Sequence, residues 1–238
     1  RVGFTFAESD MKILESLKPI INHYYNQEIN EVKRENGVYH LSYHSKHFVN
    51  FFIKLGIKPV DSAEKCVPVS IFTAPKKAVT GFLQGLFTAD GTANFIKGSN
   101  AYVRLTSKSL QLIKDVQLLL LNYGIKSRIY NRSRAPRNLF PYTTKSGEAK
   151  TYYSDGILYE LNVGRESVIR FIEQIGFMGN KHANTFVQFS TQRFRPEHFA
   201  EKIKSITPIG KKEVYDLTEP MSHSFIGNGL CISNCGEQ

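Results

Sequence analysis

Two adjacent residues near the end of the chain, Asn234 and Cys235 in "HSFIGNGLCISNCGEQ" (223–238), are of types that can cut and rejoin a backbone. The Asn side-chain amide can attack its own backbone carbonyl, closing a succinimide and releasing the residue that follows. Unaided, that reaction is slow, so a site must fix the geometry and polarise the carbonyl. A Cys thiol at the next position is a nucleophile that can first accept an acyl group. A second candidate lies mid-chain, in "GFLQGLFTADGT" (81–92). There Asp90 and Gly91 end a helix and leave a carboxylate at its C-terminal tip, where the helix dipole disfavours an anion. A divalent cation that neutralises the charge makes the placement reasonable. Gly85 and Ala89, four apart, form a small-residue stripe on the same helix, which lets a second helix approach closely.

The elements that must hold these residues form an internal repeat. "FTFAESDMKILESLKPIINHYY" (4–25) matches "VRLTSKSLQLIKDVQLLLLNYG" (103–124) at a constant offset of 99, with Met11 aligned to Leu110 and Tyr24 to Tyr123. Each copy reads as a strand followed by a helix with apolar residues at helical spacing. "HFVNFFIKLGI" (47–57) matches "SVIRFIEQIGF" (167–177) at an offset of 120. Both read as amphipathic helices stopped by Gly56 and Gly176, the residues expected at a helix C-terminus. The larger offset places extra residues in the second copy, within "RSRAPRNLFPYTTKSGEAKTYYS" (132–154). Two units of strand, helix, strands, helix predict an α+β domain with pseudo-two-fold symmetry. From about Glu201 the texture changes. "KIKSITPIGKKEVYDLT" and "SFIGNGLCIS" read as short β-like runs split by turns.

Composition narrows the partners. The 238 residues carry a net charge of +10 with a pI near 9.4, and 41% of them are hydrophobic. That is enough to bury a core, and the basic balance points first to nucleic acid, with a solubilising surface as the plain alternative. The three cysteines (Cys66, Cys231, Cys235) form no disulfide framework and have no zinc spacing. No apolar run reaches membrane-spanning length and no secretory signal opens the chain, so a reducing, cytoplasmic setting is expected.

The 83–91 segment resembles the LAGLIDADG motif of DNA-cutting homing endonucleases, with Thr88 where the consensus has Asp. The resemblance implies that Asp90 is the metal-binding acid. In that family two such helices pack side by side and each gives an Asp to shared Mg2+ ions that activate water and stabilise the leaving 3′ oxygen. By the 99-residue offset, the first copy's acid falls upstream of Arg1, so the first LAGLIDADG helix is expected to be missing. The family also places a Lys near the metals. Lys65, 25 residues ahead of Asp90, and Lys181, after the matching helix of the second copy, are the candidates. A basic side chain there stabilises the phosphate or polarises water. Solvated surface lysines are the other reading. Arg132, Arg134, Arg137, Lys145 and Lys150 in the insertion are expected to meet double-stranded DNA, unless the stretch is a basic loop that reads nothing.

"EVYDLTEPMSHSFIGNGLCISN" followed by Cys resembles the C-terminal splicing blocks of inteins over about residues 201–235. The resemblance implies that Cys235 takes the N-extein from an upstream thioester, that Asn234 then cyclises, and that a shift from sulfur to nitrogen joins the exteins. His223 is implied to assist Asn234. Asp216 is implied to tune the nucleophiles, or is merely a turn acid. Many inteins carry His before the final Asn, whereas this chain has Ser233, which shifts the polarising burden to His223. The implied layout is an incomplete endonuclease domain (1–200), the β-rich C-terminal segment of a Hedgehog/intein splicing domain (201–234) and C-extein residues (235–238). The tail Cys-Gly-Glu-Gln resembles a stretch of ribonucleotide reductases, a weak pointer to the host. Splicing then requires an N-terminal intein piece with its N-extein, in trans if that piece is separate, and no cofactor. A non-cutting DNA-binding module of LAGLIDADG type and a Hedgehog-type self-processing domain are the competing readings.

Overall fold

Alternating apolar residues set the first repeat. The computed structural model describes residues 1–94, 101–144, 146–179, 182, 194–215 and 217–233, with 138–140 described in backbone only. Strand β1 (Val2–Phe6) leads through a short 3-10 turn into helix α1 (Met11–Tyr25), followed by β2 (Val32–Lys33), β3 (Tyr39–Tyr43) and helix α2 (Lys46–Lys54). The strands form an antiparallel sheet in the order β1-β3-β2, with Val2 opposite Tyr43. Phe6, Ile13, Leu14, Leu41, Tyr43 and Phe48 close a small core between sheet and helices. Ser45 caps α2 by accepting the Phe48 N–H. Gly56 follows that helix at φ +91°, as the C-terminal glycine reading requires.

The second repeat is larger. Helix α3 (Val69–Phe72) and helix α4 (Lys76–Asp90) precede β4 (Gly91–Asn94), β5 (Tyr102–Ser107), helix α5 (Leu110–Leu121), β6 (Ser127–Asn131), β7 (Arg137–Thr143), β8 (Ala149–Ser154), β9 (Tyr159–Val163) and helix α6 (Ser167–Gln174). Four strands form an antiparallel sheet in the order β4-β5-β9-β6. Val103, Leu105, Leu161 and Val163 turn to one face and pack with Leu83 and Phe87 of α4, Ile113, Val116 and Leu120 of α5, and Phe171 of α6. Alternation sends Arg104, Arg128 and Asn162 to the other face.

The extra residues of the second copy form an arm. β7 and β8 pair antiparallel, with an irregularity between Asn138 and Phe140. The Arg132 N–H donates to Leu158 and the Arg134 N–H to Gly156, so the β6–β9 pairing runs on toward the arm. Gly156 sits at φ +74°, and a Cβ there would lie 2.0 Å from the Arg134 carbonyl oxygen, so only glycine fits this pinch.

The C-terminal part departs from expectation. Residues 201–215 and 217 contain no strand. The β-like run at 203–217 has its apolar residues in water instead, with Ile206 83% and Val214 86% exposed. β propensity does not make a strand without a neighbour to accept its hydrogen bonds. The last expected run does pair: β10 (Ser224–Gly227) and β11 (Leu230–Ser233) form a hairpin. Asn228 at φ +50° and Gly229 at φ +81° make the two-residue turn that such hairpins favour. Among the described residues no helix is long and apolar enough to cross a membrane.

Candidate functional site

Helix α4 owes its position to spacing. Val79, Leu83 and Phe87 recur every four residues and are buried, and the Phe87 ring meets Phe171 edge-on at 4.7 Å. Gln84 donates to the Ile175 carbonyl. Thr88, at the position where the motif departs from Asp, is buried. It donates to the Gln84 carbonyl and accepts the Met178 N–H at 2.8 Å. This side chain thus ties the end of α4 to the segment after α6, work a hydroxyl does without burying a charge. Gly91 must be glycine, because a Cβ would lie 2.5 Å from the Phe87 carbonyl oxygen. That close turn leaves Asp90 exposed at the helix tip, with no ion pair among the described residues. The small-residue stripe lies on the opposite side. Gly81 and Ala89 are exposed, and a Cβ on Gly81 or Gly85 would meet nothing within 4 Å.

Lys65 is exposed, on a segment held to the start of α5 from both sides. Ser109 accepts the Leu112 N–H as the cap of α5 and donates its hydroxyl to the Lys65 carbonyl. Two residues on, the buried Val67 N–H donates to the buried carboxylate of Asp115 at 3.0 Å, which Gln111 also contacts. No ion pair joins Lys65 to Asp90 among the described residues. No three His, Cys, Asp or Glu side chains among them converge as a metal site. Asp90 by itself offers a divalent ion a single carboxylate, which is not a full ligand set.

The outer face of the four-stranded sheet is polar. Arg104 lies opposite Asn162, which lies opposite Arg128, while Glu160 faces Thr106 on one side and Tyr130 on the other. Arg104 packs over Tyr102 and Arg132 over Tyr130, with 5.2 and 4.8 Å to the ring centres. Arg132 extends the β6 alternation by one turn of the pleat, so it stands with Arg128 and Tyr130. Arg134 and Arg137 are exposed where the arm begins, and Lys150 on β8 is exposed and paired with Glu148 at 3.1 Å. Sequence reasoning named the arm residues one by one but did not single out Arg104, Arg128, Tyr102, Tyr130 or Glu160 on the strands. The alternation in "YVRLTS", "SRIYNRS" and "YELNV" is the signal that places them on one face.

At the C-terminal hairpin, Ser233 pairs with Ser224. His223 directly precedes Ser224 in the sequence, at the open end of the hairpin. His223 adopts φ +52°, a conformation rare for a side chain of its size. Glu219 holds the turn before it, accepting from the Met221 N–H, the Ser222 N–H and the Ser222 hydroxyl. These bonds hold the Glu219 carboxyl below the usual carboxylate range, the Ser222 hydroxyl contributing most. Asp216, Lys145, Lys181, Asn234 and Cys235 lie outside the described residues.

Residues 77–176 match the family model described as a LAGLIDADG-like domain. The stretch has the mixed α+β architecture expected of that motif. The chain is 32% identical over 176 residues to the ribonucleoside-diphosphate reductase NrdEB subunit alpha of Bacillus subtilis, a match covering 72% of this chain and 16% of that protein. It is 29% identical over 244 residues to a DNA polymerase of Thermococcus hydrothermalis, covering 98% of this chain and 13% of that protein. The chain thus spans well under a fifth of the length of these relatives. Among solved structures, it is similar to I-DmoI in complex with DNA and Mn, at 19% identity and a TM-score of 0.49, covering 74% of this chain and 80% of that one.

Proposed function

We propose that the chain is the C-terminal part of an intein that carries a LAGLIDADG-type DNA endonuclease module. One observation carries the reading: most of the chain is similar to a small part of a reductase subunit and to a small part of a DNA polymerase, two enzymes of different chemistry. A segment shared by proteins that otherwise do different work behaves as an insert. An insert inside an enzyme must be removed if the host is to act, and the Asn234–Cys235 ending is suited to that.

In this reading the Cys235 thiolate attacks the upstream thioester carbonyl and takes the N-extein acyl group, expelling the upstream thiol. The Asn234 side-chain nitrogen then attacks the Asn234 carbonyl, and the bond to Cys235 breaks. His223 holds the proton that passes to the leaving Cys235 amine. That amine attacks its own thioester, and the acyl group moves from sulfur to nitrogen. Asp216 stands in the block position that tunes the nucleophiles. The thiol must stay reduced, which a cytoplasmic setting provides. The exposed apolar run at 203–217 is the surface an N-terminal intein piece would pair with.

For DNA, the outer face of the four-stranded sheet and the arm would meet the duplex, with Arg104, Arg128, Arg132, Arg134, Arg137, Lys145 and Lys150 as its basic residues. A second acid-bearing helix, seated on the Gly81–Gly85–Ala89 stripe, would complete the site that Asp90 begins. When bound there, Mg2+ would supply a polarised water. Asp90 would orient it, and Lys65 or Lys181 would stabilise the charge that builds on the phosphate. A non-cutting DNA-binding module is the second reading, favoured by Asp90 standing at its helix tip without a cluster of metal-ligating side chains among the described residues. Mixing the chain with a tagged N-terminal intein piece tests the splicing reading. Transfer of the tag onto the Cys-Gly-Glu-Gln tail supports it, and a tag that stays on the N-terminal piece overturns it. Nicking of supercoiled plasmid with magnesium separates the cutting module from the non-cutting one.

A further inference from the structure

The outer face of the four-stranded sheet carries one buried acid among its arginines. Glu160 on β9 has 7% of its side chain exposed, against 40% for Arg104 and 52% for Arg132. One carboxylate oxygen accepts from Arg104 at 3.5 Å and the other from Arg132 at 3.3 Å. Each guanidinium also lies over a tyrosine of its own strand run, Tyr102 for Arg104 and Tyr130 for Arg132. Each arginine therefore uses one N–H on Glu160 and keeps others for a ligand, since a guanidinium has five. A flexible basic side chain would need none of this to attract phosphate. Fixed, planar forks are what reading base edges requires.

We infer that Glu160 is a positioning residue for duplex recognition: it holds Arg104 and Arg132 in orientations that read base edges, and it gives up non-specific affinity to do so. The inference rests on the reading of this face as the DNA-binding surface. The arithmetic of charge explains the exchange. Two arginines and one carboxylate present a net charge of +1, where two arginines alone would present +2. Each added charge that neutralises a phosphate steepens the salt dependence of binding by about one unit of log affinity per log salt, which at physiological salt strengthens non-specific binding by about fivefold.

The test uses the whole chain and duplexes selected by it from a random-sequence pool, with unselected duplexes as the comparison. For Glu160→Gln, affinity for unselected duplexes should rise about fivefold, with a salt slope steeper by about one. The preference for selected over unselected duplexes should fall by roughly tenfold. Arg104→Lys with Arg132→Lys keeps the charge and removes the forks. It should leave the salt slope unchanged and lose the same preference, and it keeps the test open if Glu160→Gln fails to fold. A Glu160→Gln protein with wild-type slope and preference overturns the inference alone, as does a double lysine variant that keeps the preference. A wild-type chain that binds no duplex, or selects none, overturns the reading of the face and this inference with it.

Discussion

Asp115→Ala should loosen the segment that carries Lys65. Asp115 and Val67 are both buried, at 7% and 2% exposure, and the Val67 N–H has the Asp115 carboxylate as its partner. Removing the carboxylate leaves a buried donor unpaired, which costs about 1–3 kcal/mol. Gln111 is exposed and can turn to water, so its loss adds little. Two effects offset the cost. Ala in a helix interior is better than Asp by up to about 0.7 kcal/mol, and the buried charge is gone. A net loss of about 0.3–2.3 kcal/mol follows, which for a chain of this size lowers Tm by roughly 1–9 °C. Asp115→Asn keeps an acceptor for Val67, and Gln111 can present its oxygen to the new amide, so its cost should be under about 1 kcal/mol. The assay is thermal denaturation followed by circular dichroism, with hydrogen exchange at the Val67 amide. Exchange should accelerate in Asp115→Ala before global unfolding does. An unchanged melting curve and an equally protected Val67 amide would refute the reasoning.

Phe87→Ala removes a fully buried ring that meets Phe171 edge-on, and should destabilise by about 3–5 kcal/mol in a denaturant titration. Gly156→Ala places a methyl against the Arg134 carbonyl at a positive φ. Protection at the Arg134 amide should be lost while the melting temperature of the main core changes little. The Glu219 carboxyl is held below its ordinary 4.5, so its contribution to the 219–223 turn is present above that value and is lost as pH falls through the lowered one. Protection of the Ser222 amide, the slowing of its exchange relative to an unstructured amide at the same pH, should therefore be unchanged from pH 7 to 5 and fall at more acid pH, and Glu219→Ala should show the lowered protection throughout.

Elements set by local pattern were legible. The strand and helix of each repeat follow from period-2 and period-3.6 spacing, and the glycines at 56 and 176 mark where α2 and α6 stop. The Asn228–Gly229 hairpin turn was readable because its chemistry is local. The run at 203–217 forms no strand among its described residues because a strand is a property of a pair, and Ile203, Ile206, Ile209 and Val214 do not say whether a partner is there. Motifs concentrated the candidate residues at Asp90 and in the C-terminal block, of which the structure describes Asp90, His223 and Ser233. The outer sheet face was not legible, because Arg104, Glu160 and Arg132 come together only through the register of three strands separated by the arm and α5. The Asp115 clamp on Val67 joins residues 48 apart, and nothing in either stretch announces the other.

The central claim is that the chain ends in a self-cleaving pair, and the intact mass of the purified protein followed over time tests it most directly. The account predicts loss of the Cys235–Gln238 tail, alone or once an N-terminal intein piece is added, and a constant mass for Asn234→Ala under the same conditions. A wild-type mass that never changes, even with the N-terminal piece present, would contradict the account and leave DNA binding as the function to pursue.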